Sequence, residues 1–182
     1  MLWDLEKPGT FLVRYTDHSS YVHSLDVFNI DGNVIASGSS DTSTRIWDIR
    51  MKTPCIRLFA QNESGVNCVK FMPDTLNTIA NGCEDASINL FDLRALGAVG
   101  TYTEANAFES VTALEFSKSG RILFSSDVNS IKAWDVLTTK KISKAGSDFK
   151  GEHKESIKSL SLSSDGTMLV SSSKNGVVHV WQ

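Results

Sequence analysis

The chain has 182 residues, of which 41% are hydrophobic and 21% are charged, and its formal net charge is −3. This apolar content is sufficient for a packed core, whereas mixed charges without a basic stripe argue against nucleic acid as the main partner. The three cysteines, Cys55, Cys68 and Cys83, are odd in number and form no CxxC pair. They therefore indicate neither a disulfide framework nor a zinc site.

The N-terminal residues, MLWDLEKPGT, lack the basic start and the apolar run of a signal peptide. No apolar run elsewhere approaches the ~18 residues that a membrane span needs. We therefore expect a protein of a reducing, intracellular compartment that does not insert directly into a membrane.

Short alternating apolar runs, bounded by Gly, Asp, Asn and Ser, predict strands along the whole chain. After an extended segment at 10–15, the first complete group of four strands lies at 22–28, 34–38, 44–49 and 55–59. Turns are predicted at Asp31-Gly32-Asn33 and Asp41-Thr42. Later groups lie at 66–71, 78–82, 87–93 and 99–103, then at 111–116, 122–126, 130–136 and 141–144, and finally at 157–162, 168–172 and 177–181. No segment sustains a helical period, and 146–150 is predicted to be a surface loop.

The third strand of each group ends in Trp-Asp or a near relative of it. The copies are LWD at 2–4, IWD at 46–48, LFD at 90–92, AWD at 133–135 and VW at 180–181, and their aromatic residues are 44, 44, 43 and 47 positions apart. A period of roughly 40–45 residues with this signature is typical of a WD40 β-propeller, in which each repeat forms one four-stranded blade. The predicted fold is therefore all-β, with one domain over 1–182 and repeats at about 1–17, 18–61, 62–105, 106–151 and 152–182.

These strands amount to three full blades, half a blade in front and three strands behind. A propeller avoids exposed sheet edges by closing its ring, so two arrangements are open. Segment 10–15 could join the last three strands in a closed four-bladed ring that leaves 1–5 unpaired, or the chain could be part of a seven-bladed ring. Four blades would need much steeper wedge angles, so a partial propeller is the favoured prediction.

Four residues of the first complete repeat stand at positions that form a hydrogen-bonded set in WD repeats: His18, Ser37, Asp41 and Trp47. The Asp accepts from the His, the His reaches the Ser, and the Ser reaches the Trp ring nitrogen. A Ser, a His and an Asp also suggest a catalytic triad. A variant recurs in the last repeat, however, as His153, Ser171, Asn175 and Trp181. Catalysis would need the set only once, so we interpret both sets as structural and predict no enzymatic activity.

The two middle repeats retain less of this set. In the second, Asn62, Asn81 and Phe91 replace the His, the Ser and the Trp, and Asp85 remains. The third keeps Trp134 and Asp127, with Asp127 one residue out of register, and has no His. We expect these two blades to depend more on apolar packing and to be less rigid.

Metal ions and cofactors have no support in the sequence. His18 and His23 are five residues apart, and His153 and His179 fall in a different blade, which is poor spacing for metal ligands. The chain has no glycine-rich phosphate-binding motif of the GxGxxG or GxxxxGK[ST] type. We therefore predict neither a metal nor a cofactor.

Several stretches resemble the β subunit of heterotrimeric G proteins over the whole chain. They are FSKSGRIL at 116–123, WDVL at 134–137, LFDLRA at 90–95, ESGVN at 63–67 and LWDLE near the start, together with a C-terminus at the Trp of the last repeat. The resemblance aligns the chain with the last four and a half of seven blades. It implies a signal transducer that binds a GDP-loaded α subunit and, when released, effector proteins. It also implies a cytoplasmic location, at the inner face of the plasma membrane through partners. The alternative is a generic WD-repeat scaffold or adaptor of another protein complex.

In that family, loops between blades and tight turns within them form the partner-binding rim. The resemblance puts the contact positions at Tyr21, His23, Ser40, Gly65, Asn67, Glu84 and Lys174. Asn67 matches the family residue and Glu84 keeps the charge of an Asp, whereas Lys174 replaces an interfacial Trp and Tyr21 replaces an Asp. Met, Cys and Asp are the family residues at His23, Ser40 and Gly65. These departures fit either a specialised α partner or plain solvated loops. The N-terminal helix that binds the γ subunit in this family has no counterpart in the chain, so γ binding is expected only if that segment is present.

Overall fold

The computed structural model describes residues 2–75, 77–95, 97–104, 108–142, 149–150 and 153–182, and only the backbone of Phe11, Phe149 and Lys150. All eighteen regular elements of this part are β-strands, arranged in five antiparallel sheets. The first sheet pairs β1 (Leu2–Trp3) with β2 (Phe11–Val13). The predicted fold class, an all-β partial propeller, is confirmed.

Three sheets are full blades whose strands follow one another in chain order. The first blade comprises β3 (Val22–Val27), β4 (Val34–Ser39), β5 (Thr44–Asp48) and β6 (Cys55–Phe59). The second comprises β7 (Val66–Phe71), β8 (Thr78–Cys83), β9 (Ile88–Asp92) and β10 (Ala98–Tyr102). The third comprises β11 (Ala113–Phe116), β12 (Ile122–Ser126), β13 (Ser130–Asp135) and β14 (Lys140–Lys141), and β15 (Phe149–Lys150) also pairs with β13. The last sheet has three strands, β16 (Ile157–Leu162), β17 (Leu169–Ser173) and β18 (Val178–Trp181).

Two details differ from the sequence prediction. Phe149 and Lys150 were expected in a surface loop, but their backbone pairs with Ile131 and Ser130 at the outer edge of the third blade. The predicted outer strand at 141–144 is instead the short β14, and 143–148 lie outside the described residues. The pairing of β15 with β13 joins segments separated along the chain, which local sequence patterns do not encode, whereas β14 forms a local hairpin with β13.

The closed four-bladed alternative is not the observed arrangement. β2 pairs with β1 rather than with the last sheet, which ends at β18. Segment 2–3, which that alternative left unpaired, is therefore a strand, and β1–β2 form the half blade at the front.

The blades pack face to face around a central axis. The first strands of successive full blades and of the last sheet, β3, β7, β11 and β16, contact one another in turn, so they are the innermost strands. Three apolar clusters fill the spaces between adjacent sheets. Between the first and second blades, Phe59 stacks on Phe91 with ring centroids 4.4 Å apart, and both are almost fully buried. Burying an aromatic side chain of this size contributes roughly 1.5–3 kcal/mol, so these seams hold the described part of the ring together.

Two glycines allow this close packing. A Cβ added to Gly38 of β4 would lie 2.6 Å from Val66 Cγ1, and one added to Gly82 of β8 would lie 2.7 Å from Cys68 Sγ. Gly38 thus faces the next blade across a gap too small for a side chain. The same position in two consecutive repeats, 44 residues apart, therefore requires glycine.

Antiparallel strand order defines two rims. The segments that join successive sheets, and the turns between the second and third strands of each sheet, lie on one side, here named the connection rim. The other turns lie on the opposite rim. On the connection rim, Thr42, Ala86 and Gly176 occupy equivalent turn positions, with φ of 65°, 68° and 80°. Three sheets therefore share one left-handed turn, whereas no residue of the corresponding turn at 127–129 in the third blade has a positive φ.

Candidate partner-binding rim and its buried supports

The first blade contains the predicted hydrogen-bonded set beneath its connection-rim turn. His18 Nδ1 lies 2.8 Å from Asp41 Oδ2, and His18 Nε2 lies 2.7 Å from Ser37 Oγ. The Trp47 ring nitrogen donates to the same Ser37 oxygen at 2.8 Å. The ionised Asp41 carboxylate can only accept, so His18 Nδ1 donates to it and the neutral ring accepts the Ser37 proton at Nε2.

Asp41 also organises its own turn. Its Oδ1 accepts from the backbone N–H and the hydroxyl of Ser43, at 3.1 and 2.6 Å, and its Oδ2 accepts from the Ser19 N–H at 3.0 Å. Burial opposes ionisation of this carboxyl, but the hydrogen bonds from Ser43, His18 and the backbone outweigh it, so its pKa lies well below the usual range. The charged Asp41 carboxylate thus links the turn to the segment that enters the blade.

This geometry is unsuited to nucleophilic catalysis. Ser37 is only 2% exposed, so little of its surface is open to a substrate. The hydroxyl oxygen is also occupied as the acceptor for Trp47. Low exposure and an occupied hydroxyl oxygen are both expected of a side chain that stabilises the blade.

In the last sheet, three residues of the second predicted set bond to one another, and the fourth bonds elsewhere. His153 Nε2 lies 2.7 Å from Ser171 Oγ, and Trp181 Nε1 donates to that oxygen at 2.9 Å. Asn175, expected to face His153, is exposed, and its Oδ1 accepts from the Ser173 hydroxyl and from the Val177 N–H. The physical reason is that a carboxamide has a single acceptor oxygen, which here serves the turn, whereas the two oxygens of Asp41 serve turn and histidine together.

An asparagine network occupies the equivalent site of the second blade. Asn62 Oδ1 accepts from Asn81 Nδ2 at 3.0 Å and from Asn89 Nδ2 at 3.1 Å. Asn81 also donates to Thr44 Oγ1 of the first blade at 2.9 Å, and Asn62 donates to the Thr42 carbonyl at 2.8 Å. The greater dependence on apolar packing stays a prediction: Phe91 stacks on Phe59, beside a polar network that the sequence pattern did not indicate. The Asp85 carboxylate forms the bonds of its own turn, where its Oδ1 accepts from the N–H and the hydroxyl of Ser87.

In the third blade, a lysine stands among the polar groups of the interior. Trp134 Nε1 donates to Ser125 Oγ at 2.7 Å, and Lys132 Nζ lies 3.1 Å from Asp127 and 2.9 Å from Glu104. Burial disfavours the ammonium, but its hydrogen bonds to Glu104 and Asp127 prevail and raise the pKa of Lys132. This ion-pair network ties the blade to the segment that follows β10.

The seven proposed contact positions all lie at or beside the connection rim. Three backbone bonds repeat there: Ser40 N–H donates to Tyr21, Glu84 N–H to Gly65 and Lys174 N–H to Ser156, each at 2.9 Å. His23 Nε2 lies 2.5 Å from Ser40 Oγ, and Asn67 donates to the Val111 carbonyl at 3.1 Å. Tyr21, His23, Glu84 and Lys174 are exposed, Ser40 and Asn67 are half-buried, and Gly65 is buried. The fold thus brings these positions to one side of the molecule.

A β-propeller family model described as "Nucleolar protein 10-like, N-terminal domain" matches residues 6–180. The chain belongs to this family of WD-repeat β-propellers. Among the described residues, no group of histidine, cysteine and acidic side chains is suited to hold a metal ion. Within that same part, no helix has the length and apolarity needed to cross a membrane.

The curated relatives of this WD-repeat chain are G-protein β subunits. It is 32% identical over 191 residues to the "Guanine nucleotide-binding protein subunit beta" of Zea mays, covering 100% of the chain and 50% of the relative. The protein of the same description from Solanum tuberosum is 34% identical over 189 residues, with the same coverage. That from Nicotiana plumbaginifolia is 33% identical over 168 residues, covering 90% of the chain and 44% of the relative. The resemblance to G-protein β subunits is confirmed, and the chain spans about half the length of these relatives.

Three functional side chains of the WD-repeat interior escaped the sequence prediction. Ser125 stands nine residues before Trp134, instead of the ten that separate Ser37 from Trp47, so counting back from Trp-Asp passes it by. Asn89 and Lys132 stand two residues before Phe91 and Trp134 on third strands, and so on the same face, at a position that the predicted His, Ser, Asp and Trp set does not include. The sequence signal that could have indicated a buried ion pair for Lys132 is the acidic residue Glu104, on the segment that follows β10.

Proposed function

We propose that this chain is part of a G-protein β-subunit-like signal transducer that binds a GDP-loaded α subunit and effector proteins through its connection rim. The observation that carries this proposal is the identity of 32–34% to such subunits along the entire chain. The proposed contact residues are Tyr21, His23, Ser40, Gly65, Asn67, Glu84 and Lys174. By the same proposal the protein works in the cytoplasm, at the inner face of the plasma membrane, held there by its partners. A γ subunit would join only if the N-terminal helix that binds it in that family is present.

The rim is suited to discriminating between partner states because its backbone is held rigidly. The repeated bonds at Tyr21, Gly65 and Ser156 are each 2.9 Å long, and the Asp41 and asparagine networks hold the turns from the interior. A preorganised rim loses little conformational entropy on binding. Small changes in the shape of a partner therefore translate directly into affinity.

A scaffold role in another protein complex is the second candidate, favoured by the family model that matches residues 6–180. Its description concerns a different class of protein from the G-protein β subunits. In that role the rim would present a fixed surface to an assembly, without responding to a nucleotide.

A pull-down of α subunit by the full-length protein that contains this chain separates the two candidates. We expect strong retention of the GDP-loaded α subunit and weak retention of the activated one. A control variant on the opposite rim, Leu137→Ala, should retain both as the unmodified protein does. Equal retention of both nucleotide states, or of neither, would contradict the transducer proposal and favour the scaffold.

A further inference from the structure

The innermost strands of the three full blades each carry one charged side chain at the same position. Asp26, Lys70 and Glu115 are the penultimate residues of β3, β7 and β11. The charges therefore alternate in sign from blade to blade, and the equivalent residue of the last sheet, Ser161 in β16, is uncharged. Two carboxylates thus share a single ammonium across three blades.

The three side chains meet in the wall between the blades. Lys70 Nζ lies 3.2 Å from Glu115 Oε2 and 3.8 Å from Asp26 Oδ1. The other oxygen of Asp26, Oδ2, accepts from the Phe71 N–H at 2.7 Å and so fixes this carboxylate against the second blade. The side chains of Asp26 and Glu115 are only 20% and 14% exposed. Because Lys70 carries one positive charge, ionisation of both carboxyls leaves one negative charge in excess at a largely buried site.

The groups around this cluster leave its charge balance to its own three members. Among the described residues, the other charged or titratable side chains that line the adjoining cavities, apart from Cys68, are all exposed: His23, Asp74, Lys118 and Lys158. Solvent and salt screen charges at exposed positions. The Cys68 thiol is buried, and burial raises its pKa, so it stays neutral.

A cavity of about 190 Å³ beside the cluster gives protons a route to it. All three side chains line this cavity, together with Asn29 and Pro73 in turns of the opposite rim. Asn29 is exposed, and the cavity has room for several waters, since each water occupies about 30 Å³. The carboxyls can therefore exchange protons with solvent while the blades stay packed.

Burial favours the protonated form of both carboxyl groups. It raises the pKa of Asp26 above 3.8, although the Phe71 N–H and Lys70 oppose the shift. It also raises the pKa of Glu115 above 4.5, where Lys70 opposes the shift and the negative charge of Asp26 adds to it. A group whose folded pKa exceeds its unfolded pKa stabilises the fold below the unfolded value, and this contribution is lost as the pH rises through the folded pKa.

We propose that Asp26, Lys70 and Glu115 form a pH-sensitive clamp between the first three blades. Uptake of one proton by the two carboxyls removes the excess negative charge and strengthens the clamp, and release of that proton as the pH rises weakens it. The direction is opposite to that of Asp41, whose contribution is lost in acid. The clamp acts on the wall between the two rims, so it does not depend on which partner either rim binds.

Urea unfolding of the full chain between about pH 4 and pH 8 tests the clamp by the sign of one trend. Glu115→Gln keeps the size of the side chain and removes its charge, so Asp26 and Lys70 remain as a balanced pair. We expect the urea midpoint of the unmodified chain to fall relative to that of Glu115→Gln as the pH rises, by roughly 0.5–1 M for a pKa shift of one unit. A plain ion pair between Glu115 and Lys70 predicts the opposite trend, because it would stabilise only the unmodified chain and only once Glu115 is ionised.

Lys70→Met should shift the balance the other way. It keeps an apolar stem but leaves two carboxylates without their shared cation, so its midpoint should fall further below that of the unmodified chain as the pH rises. A variant that fails to fold at about pH 8 and folds at about pH 5, as circular dichroism would show, is the extreme form of this result. If Lys70→Met is unfolded at every pH, the trend of Glu115→Gln decides alone.

Glu63→Gln is the matched control, because it makes the same chemical change at an exposed position of the connection rim. Its midpoint should follow that of the unmodified chain at every pH. An equal trend in Glu63→Gln and Glu115→Gln would indicate a general effect of net charge and overturn the clamp. A midpoint difference for Glu115→Gln that stays constant, or that turns against the variant as the pH rises, would overturn it as well.

Discussion

The first and second blades have the same strand order and the same register, and 44 residues separate Trp47 from Phe91, yet their interiors use different chemistry. The first encloses an ionised carboxylate, an imidazole, a hydroxyl and an indole, whereas the second encloses three carboxamides and a stacked phenylalanine. What they share is a set of interior polar groups that bond to one another, although Arg45 Nε of the first blade is buried without a hydrogen-bond partner among the described residues. A blade therefore accepts more than one mutually bonded set of residues at this site.

The sharpest test of this comparison exchanges one buried residue between the blades. Asn81 is fully buried and donates to both Asn62 and Thr44, so Asn81→Ala should lower the free energy of unfolding by about 2–4 kcal/mol. Asn81→Ser introduces the residue of the first blade without its His and Trp partners and should cost nearly as much. Denaturant unfolding measures both. If Asn81→Ser left the free energy of unfolding unchanged, serine would be sufficient at this position without its His and Trp partners, and the comparison would fail.

A smaller effect is expected from the turn aspartates. Asp41→Ala leaves His18 and the Ser19 N–H without their acceptor and should destabilise the protein by about 1–3 kcal/mol. Asp85→Ala removes only bonds within an exposed turn and should cost clearly less. Thermal unfolding of the two variants side by side measures the difference, and equal shifts in melting temperature would contradict the role assigned to Asp41.

Acid should reveal which interior contains a charge. The folded pKa of Asp41 lies below its unfolded value of 3.8, so its stabilising contribution is present above that value and is lost as the pH falls through the folded pKa. The stability difference between the unmodified chain and Asp41→Asn should therefore shrink as the pH falls below about 4. For Asn81→Ala, which removes no ionisable group, the difference should stay constant. Urea unfolding over a pH series measures both trends.

The smallest effect is expected where the two blades are alike. Arg50 and Arg94 make the same ion pair with the aspartate two residues before them, and both arginines are largely exposed. Exposed pairs contribute little because water and salt screen them. Arg50→Ala and Arg94→Ala should therefore leave the melting temperature unchanged at physiological salt. A distinct loss in either variant would show that the opposite rim bears more of the stability than its exposure indicates.

The sequence predicts most of the fold because strands and turns recur at fixed positions within each repeat. Trp47 and Asp41 lie at fixed offsets in a repeated pattern, so their roles follow from spacing. The Asn62–Asn81–Asn89 network could not be predicted in the same way, since its bonds depend on how side chains from three segments meet. Lys132 resembles a surface residue until Glu104 of the neighbouring segment is placed beside it. Phe149 and Lys150 join a sheet only through pairing with residues distant along the chain.

One contact between the innermost strands has a consequence for how this molecule avoids aggregation. The Val69 and Phe71 N–H groups of β7 donate to Ser24 Oγ at 3.1 Å and to Asp26 Oδ2 at 2.7 Å, both on β3 of the preceding blade. These amides are otherwise the free edge of a sheet, which can template addition of a foreign strand. Side chains of one blade thus cap the exposed edge of the next, and Lys70, 3.8 Å from Asp26 and 3.2 Å from Glu115, adds charge to the same edge. The inner edge of the second blade is in this way protected against β-strand addition by the neighbouring first blade.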